Sequence, residues 1–139
     1  MLFGQEHVER YRATDGAEGH EWRPGVFCLL LTTTGRSSGE PYTTPLIYRV
    51  DRTVADEGLV IIASKGGADE HPDWYLNLVE DRHVTVQVGA EVFDAYASDV
   101  EDGADRDRLW RWMTEVWPDF DEYAASTDRD IPVVRLTRM

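Results

Sequence analysis

The chain contains the segment Val26-Phe27-Cys28-Leu29-Leu30-Leu31-Thr32-Thr33-Thr34-Gly35-Arg36-Ser37-Ser38-Gly39-Glu40-Pro41-Tyr42-Thr43-Thr44-Pro45, in which an apolar run leads into a turn. Residues 26–31 are all apolar, which is typical of a strand buried on both faces. Residues 35–39 have the composition of a turn. Residues 42–50 are rich in Thr, Tyr and β-branched side chains, so they favour a second strand. The segment therefore predicts a β-hairpin around a turn rich in glycine and serine.

Further strand patterns follow along the chain. Residues 59–63 form a second apolar run, and residues 83–89 alternate between apolar and polar side chains. Residues 92–98 would pair back on that alternating strand as a hairpin, and residues 131–136 would form the last strand.

Helical patterns are inserted between these strands. A short helix is expected to begin at Pro72, and a longer one covers residues 104–117, where Pro118 ends it. Phe120 and Tyr123 lie in a second short helix or turn. About six antiparallel strands with two or three inserted helices predict a mainly β (α+β) domain, built as a small barrel or sandwich.

The length and composition fit one domain. The chain has 139 residues, of which 42% are hydrophobic, enough for a core of its own. Residues 23–139 are predicted to form this domain, and residues 1–22 a mobile lead-in. Cys28 is the only cysteine, which excludes an internal disulfide. The four histidines show no metal-ligand spacing, so no metal site is expected.

The charge is strongly acidic. The sequence holds 27 acidic residues against 14 basic ones, for a net charge of −13. This balance argues against a nucleic-acid partner or an anionic membrane surface. Lys65 is the only lysine, so the surface is acidic and poor in lysine. Such a surface indicates either a salt-adapted host or a coding bias that favours arginine. No apolar run resembles a signal peptide or a membrane span, which favours a cytoplasmic location.

Three segments could carry chemistry, and each has a plain structural alternative. Residues 32–45 offer hydroxyls, backbone N–H groups and Arg36 to a phosphate, or they form an ordinary hairpin turn. Residues 64–67 place Lys65 and small residues at a strand end, or form a flexible surface turn. Residues 72–77 offer two aromatic rings and an amide to a planar ligand, or pack a short helix on the core.

The order of these segments resembles one family. Thr-Thr-Thr-Gly-Arg-x-Ser-Gly-x-Pro, Ala-Ser-Lys-Gly-Gly and Trp-Tyr-Leu-Asn-Leu occur in sequence with spacing similar to that of the deazaflavin (coenzyme F420)-dependent nitroreductases and quinone reductases. The resemblance runs from about residue 25 to residue 138. It implies a split β-barrel, related to FMN-binding barrels, that uses the deazaflavin coenzyme F420.

The resemblance also implies roles for individual residues. Apart from what the resemblance implies, Ser64 or Tyr123 is expected to polarise the acceptor oxygen as a catalytic residue. Trp117, Phe120 and Tyr123 would line the substrate pocket. The cofactor would be held by Arg36, Ser37, Ser38, Tyr42, Thr43, Thr44, Pro45, Leu46, Ile47, Ile62, Ala63, Ser64, Lys65, Asp73, Trp74, Tyr75, Leu76 and Asn77.

The sequence departs from the family pattern at four positions. Ser37 stands where the family often has Lys, and Tyr42 where it often has Arg. Cofactor binding would then rest on hydrogen bonds, Arg36 and Lys65. Trp117 and Phe120 replace tyrosines of other members, which leaves one tyrosine hydroxyl at these positions and favours quinones over nitro compounds as acceptors.

The expected reaction is hydride transfer from reduced F420 to a small planar electron acceptor, best a quinone, with side activity on nitro compounds. Two alternatives stay open: an FMN-binding flavoprotein like pyridoxamine-phosphate oxidase, and a non-catalytic deazaflavin carrier. A homodimer and a position at the membrane quinone pool are further expectations.

Overall fold

The computed structural model describes residues 2–53 and 57–139, and these ranges contain eight strands and four α-helices. The strands are β1 (Glu21–Arg23), β2 (Val26–Thr34), β3 (Pro41–Ile47), β4 (Arg49–Asp51), β5 (Gly58–Ile62), β6 (His83–Val88), β7 (Glu91–Asp99) and β8 (Val133–Arg138). The helices are α1 (Gly4–Ala13), α2 (Asp73–Glu80), α3 (Ala104–Val116) and α4 (Asp119–Ala125), and a short 3-10 turn covers Lys65–Gly67.

The sheet closes on itself through one chain segment. Its strands run in the order β3-β2-β6-β7-β8-β5-β4, every pair is antiparallel, and β1 pairs with the start of β2. Between β3 and β4 lies a single residue, Tyr48. Both ends of the strand order therefore belong to one segment, which curls the sheet into the predicted split β-barrel.

The hairpin predicted from the opening segment is confirmed. β2 and β3 pair from Cys28 opposite Ile47 to Thr34 opposite Pro41. In the turn, the Gly35 N–H donates to the carbonyl of Glu40 at 2.8 Å, and the Gly39 N–H donates to that of Gly35 at 2.8 Å. The turn is thus closed by its own backbone.

The two apolar runs are buried on both faces, as the sequence predicts, except at Phe27, which is 38% exposed. Leu29 and Leu31 of β2 point into the barrel core, while Leu30 packs under α1 with Val8 and Tyr11. On β5, the core takes Leu59 and Ile61, and the outer face carries Val60 and Ile62. That outer face is covered by α3 and α4 through Leu109, Met113 and Phe120.

A buried carboxylate ties the barrel to α3. Asp51, at the end of β4, is 1% exposed and accepts hydrogen bonds from Arg108 at 3.3 Å and Arg135 at 3.1 Å. Thr53 adds a hydroxyl donor at 2.7 Å and a backbone donor at 3.0 Å. Burial raises the pKa of Asp51, but the bonds from Thr53, Arg108 and Arg135 outweigh it and lower the pKa to about 2.

Two details differ from the sequence expectation. The structure has eight strands where about six were expected, because β1 and β4 are three residues long and too short to show a pattern. The last strand begins at Val133, after Pro132, and reaches Arg138. Proline has no N–H to give to a strand ladder, which explains the later start.

Residues 4–13 form a helix that packs on the barrel, with His7, Val8 and Tyr11 buried. The Tyr11 hydroxyl accepts from the Gly89 N–H, and its one hydrogen lies within reach of the carbonyls of Cys28 at 3.1 Å and Gln87 at 3.3 Å. Whether residues 1–22 move in solution stays a prediction, as does their division from residues 23–139. Among the described helices, none has the length and apolar character needed to cross a membrane.

Candidate functional site

A cavity of about 480 Å³ lies where β3, the start of α2, α4 and the N-terminal segment meet. Its wall is formed by one residue each from β1, β2 and β5, together with residues of the N-terminal segment, β3, the turn after β5, the start of α2, and the end of α3 with α4. The lining residues are Leu2, Phe3, Gly4, His7, Trp22, Cys28, Tyr42, Thr44, Pro45, Leu46, Ile47, Ile62, Ser64, Lys65, Gly66, Pro72, Asp73, Trp74, Trp117, Phe120 and Tyr123.

Most of the residues predicted for the site line this cavity. All three predicted substrate-pocket residues and both predicted catalytic residues are among them. The predicted residues that lie outside the lining are Arg36, Ser37, Ser38, Thr43, Ala63, Tyr75, Leu76 and Asn77. The structure thus brings the ends of the three predicted segments together and leaves the tip of the hairpin turn beyond the cavity.

The polar edge of the cavity is the turn after β5. Ser64 has right-handed helical backbone angles, and Lys65 follows with φ of +45° and Gly66 with φ of +61°. A right-handed residue followed by a left-handed one turns successive backbone N–H groups toward one concavity, which suits an anionic or partly negative oxygen. A left-handed lysine is uncommon, so the geometry of this turn is held by its surroundings.

Gly67 allows α4 to approach this turn closely. Its φ is +84°, and a Cβ there would lie 2.8 Å from the carbonyl oxygen of Tyr123. The Ser126 hydroxyl in turn lies 3.2 Å from the Gly67 carbonyl and donates to it. Gly67 therefore fixes the distance between the turn and the helix that carries Phe120 and Tyr123.

Arg129 organises the same turn and was missed as a site residue. Its guanidinium donates to the carbonyls of Ala63 at 3.2 Å, Ser64 at 2.9 Å and Ala68 at 3.0 Å. A fourth bond, of 3.0 Å, joins Arg129 to Nδ1 of His71. Burial lowers the pKa of His71, and the charge of Arg129 lowers it further. The Thr-Asp-Arg-x-Ile-Pro segment was the available signal, but nothing in it shows which loop the arginine reaches.

Arg36 joins the hairpin turn to α2. Its Nη1 donates to Oδ1 of Asn77 at 2.8 Å, and its Nη2 forms an ion pair with Asp73 at 3.2 Å. Asn77 also accepts from the Arg36 backbone N–H and donates to the hydroxyl of Thr33. Arg36 keeps 36% of its side chain exposed, so it can still meet an anion from solvent.

Two of the predicted cofactor residues act within the fold. The hydroxyl of Tyr75 donates to Asp99 at 2.5 Å, and Asp99 pairs with Arg82 at 2.9 Å. Burial and the bond to Asp99 raise the pKa of Tyr75 to about 12. The Ser38 hydroxyl accepts from the Glu40 N–H inside the turn. In this structure both side chains stabilise local geometry.

Aromatic rings form another part of the cavity wall. The Trp117 indole N–H lies 3.3 Å from the Tyr123 hydroxyl, and the Trp117 ring is 5.5 Å from that of Trp22. The guanidinium of Arg23 lies over both indoles, at 4.4 Å from Trp22 and 4.9 Å from Trp117. Flat apolar surfaces of this kind stack on planar ligands.

The N-terminal wall was not expected from the sequence. Leu2, Phe3, Gly4, His7 and Trp22 all line the cavity. Trp22 donates to the carbonyl of Leu2 at 2.8 Å and meets the Phe3 ring edge-on at 5.7 Å. The one sequence signal for this wall was the spacing of Val8 and Tyr11, which places both on one helical turn. That spacing does not show what the turn covers.

Cys28 borders the cavity from β2. It is 3% exposed, and burial raises the pKa of its thiol to about 12. The thiol is therefore protonated at neutral pH and acts as a small apolar group.

Comparison with known proteins identifies relatives over nearly the whole chain. The family model described as F420H(2)-dependent quinone reductase matches residues 3–138. An F420H(2)-dependent quinone reductase of Mycobacterium tuberculosis is 38% identical over 134 residues, which cover 95% of this chain and 87% of the relative.

Two solved structures are similar in both sequence and shape. One, described as a domain-swapped dimer, is 37% identical with a TM-score of 0.70 and covers 95% of each chain. The other is an F420-H2 dependent reductase, 38% identical with a TM-score of 0.67, and covers 78% of this chain and 92% of its own.

Proposed function

The chain belongs to the F420H(2)-dependent quinone reductase family, and we propose that its cavity is where reduced coenzyme F420 and a quinone meet. The enzyme is accordingly an F420H2-dependent oxidoreductase with F420 as its cofactor. One observation carries the placement of the site: the polar turn at Ser64–Gly66 and the aromatic rings of Trp117, Phe120 and Tyr123 line the same cavity of about 480 Å³. A planar cofactor and a planar acceptor need both kinds of surface.

The residues of the polar edge fit the chemistry of the coenzyme. A Cβ on Gly66 would meet no atom within 4 Å, so open space lies directly above this turn. Tyr42 and Thr44 add hydroxyls from β3, and Lys65 adds a cation that is 42% exposed and paired with Glu70. Hydroxyls, turn N–H groups and a cation match a ring edge and a phosphate. When bound, the coenzyme supplies the hydride.

We assign cofactor binding to two surfaces. The first surface is β3, which lines the cavity with Tyr42, Thr44, Pro45, Leu46 and Ile47. The second is the end of β5, which lines it with Ile62, Ser64 and Lys65. Asp73 and Trp74 close the site at the start of α2. Arg36 lies beyond the lining and would meet the acidic tail from solvent, with Ser37 and Ser38 beside it.

The acceptor is assigned to the aromatic wall. Trp117, Phe120 and Tyr123 offer stacking surface, and Phe120 and Tyr123 meet edge-on at 6.2 Å. The hydroxyls of Ser64 and Tyr123 would polarise the acceptor oxygen as negative charge develops on it. Exclusion of water by these rings strengthens both interactions.

Purified protein tests the proposal directly. We expect reduced F420 to be oxidised when menadione is added, seen as a rise in absorbance near 420 nm. Trp117→Ala should raise the KM for menadione more than it alters the affinity for F420. Failure of F420 to bind below about millimolar, or tight binding of FMN with absorbance near 450 nm, would remove the proposed site.

The surroundings of the enzyme are a further part of the proposal. The net charge of −13 supports a salt-adapted host, and the location we propose is the cytoplasm. Phe3, 61% exposed beside the cavity, supports contact with the membrane quinone pool. The domain-swapped relative supports a homodimer. Vesicle co-sedimentation and light scattering test the last two points.

A further inference from the structure

His7 is a buried histidine in the cavity wall that has no role in the scheme above. It lies on α1, is 2% exposed, and lines the cavity. Its Nε2 lies 2.9 Å from the carbonyl oxygen of Gly19. Because a carbonyl oxygen can only accept, Nε2 carries a hydrogen and donates it. The other ring nitrogen, Nδ1, therefore decides whether this imidazole is neutral or charged.

Nδ1 has no hydrogen-bond partner among the residues that the structure describes. It is also not fully enclosed by neighbouring atoms. It therefore touches open space. The ring edge that faces Gly19 is the Cδ2–Nε2 edge, since a Cβ on Gly19 would lie 2.8 Å from Cδ2. Nδ1 lies across the ring from that edge, and the space that His7 lines is the site cavity.

The ring is held in this orientation. Trp22 stacks against it with centroids 6.5 Å apart and an angle of 18° between the planes, and the ring of Tyr11 lies 6.3 Å away. Together with the bond to Gly19, these contacts fix the imidazole on three sides. A ring fixed in this way by an N–H to a carbonyl is the arrangement that prepares the opposite nitrogen for proton transfer.

Reduction of a quinone needs a proton as well as a hydride. The hydride delivers two electrons and one proton, which leaves an anionic oxygen on the ring. We infer that His7 is the catalytic residue that protonates this oxygen, an inference that rests on the proposed function. The Nδ1–H bond of the imidazolium breaks, an O–H bond forms on the quinol, and the neutral imidazole takes up a proton from water.

Other titratable and charged groups surround His7 and contribute to the dependence of kcat on pH. From the elements packed around the ring and from the cavity, they are Glu6, Tyr11, His20, Arg23, Cys28, Tyr42, Lys65, Asp73 and Tyr123. Burial raises the pKa of Tyr11 and Cys28, which keeps both protonated near neutral pH. Burial lowers the pKa of His20, and this residue is retained in every variant compared below.

The test compares His7→Gln with the wild-type enzyme. The glutamine amide can still donate to Gly19, but it has no nitrogen that titrates. The variant therefore keeps the structural hydrogen bond and loses only the proton donor. We expect kcat for menadione with reduced F420 to fall by about 10²-fold, while the affinity for F420 stays within twofold. Wild-type kcat should decline as pH rises, because the proton donor is lost, and this decline should be absent in His7→Gln. Glu9→Gln, an exposed change on the same helix, should behave as wild type.

A second measurement uses the protein without cofactor. In a sample with 13C-labelled histidine rings, menadione should shift the resonance that is missing in His7→Gln. A His7→Gln enzyme with wild-type kcat and pH profile would overturn the inference, as would a His7 resonance that menadione leaves unchanged. If the wild-type enzyme itself does not reduce menadione, the proposed function fails instead.

Discussion

Arg36 and Asn77 are joined twice: the arginine side chain donates to Oδ1 of Asn77 at 2.8 Å, and the Arg36 backbone N–H donates to the same oxygen at 3.2 Å. One amide on α2 thus holds both the side chain and the backbone of the hairpin turn. The resemblance to the family implies that Arg36 binds the cofactor phosphate, and this structure shows in addition that Arg36 links the hairpin turn to α2.

Arg36→Ala should therefore weaken both the fold and the site. Loss of charge-assisted hydrogen bonds of this kind costs about 1–3 kcal/mol, and we expect the Kd for F420 to rise at least tenfold in a fluorescence titration. Arg52→Ala removes the same charge from a side chain that is 72% exposed, and it should leave both quantities unchanged. Equal affinities in the two variants would contradict a role for Arg36.

Gly67→Ala should separate the turn after β5 from α4. The new methyl group would meet the Tyr123 carbonyl at 2.8 Å and would also strain a φ of +84°. We expect a loss of about 2–4 kcal/mol in the free energy of unfolding measured with urea, and a lower rate of quinone reduction.

Gly66→Ala is the matched control for this change. Its φ is +61°, but a Cβ there would meet nothing within 4 Å. The strain alone costs about 1–2 kcal/mol. If both variants lost the same stability, crowding against α4 would not be the cause.

Asp51 should make the fold sensitive to acid. Its pKa in the folded protein is about 2, below the ordinary 3.8, so its carboxylate stabilises the fold at any pH above the ordinary value. That contribution, about 2 kcal/mol, is lost as pH falls from about 4 to 2. In urea unfolding measured between pH 2 and 7, Asp51→Asn should not show this loss of unfolding free energy in acid.

Asp102→Asn is the control for acid sensitivity. Asp102 is 99% exposed, and its distance to Arg106 is 3.8 Å, so the same change there should leave the pH dependence intact. An Asp51→Asn protein that lost stability with acid as steeply as the wild type would show that other carboxylates cause the effect.

Salt should raise the stability and the solubility of the protein. With a net charge of −13, repulsion between carboxylates opposes folding at low ionic strength, and salt screens it. We expect the melting temperature and the solubility to rise from low to molar KCl, and the affinity for F420 to stay level or increase. A steep fall in that affinity with salt would mean that long-range attraction to Arg36 and Lys65 dominates binding.

The barrel and most of the cavity were predictable because long apolar runs and glycine turns leave clear patterns. Residues 26–31 and 59–63 indicated strands buried on both faces, and the structure confirms this for all of them except the exposed Phe27. Arg129 and His7 were not predictable as site residues, because their roles depend on contacts with residues far away in the sequence or with a cavity wall. Arg36 shows the reverse case, since a motif drew attention to it without showing its partner Asn77.

The edge of β3 that does not pair with β2 has a consequence for the solution behaviour of the protein. Among the described strands, β3 pairs on one side with β2, and its other side borders the cavity. A strand with an unpaired edge can template association with another chain, and proline at such an edge discourages it. Pro41 and Pro45 both lie on β3. A coenzyme lying along this strand would cover the remaining backbone groups, so the loaded enzyme should resist aggregation better than the empty one.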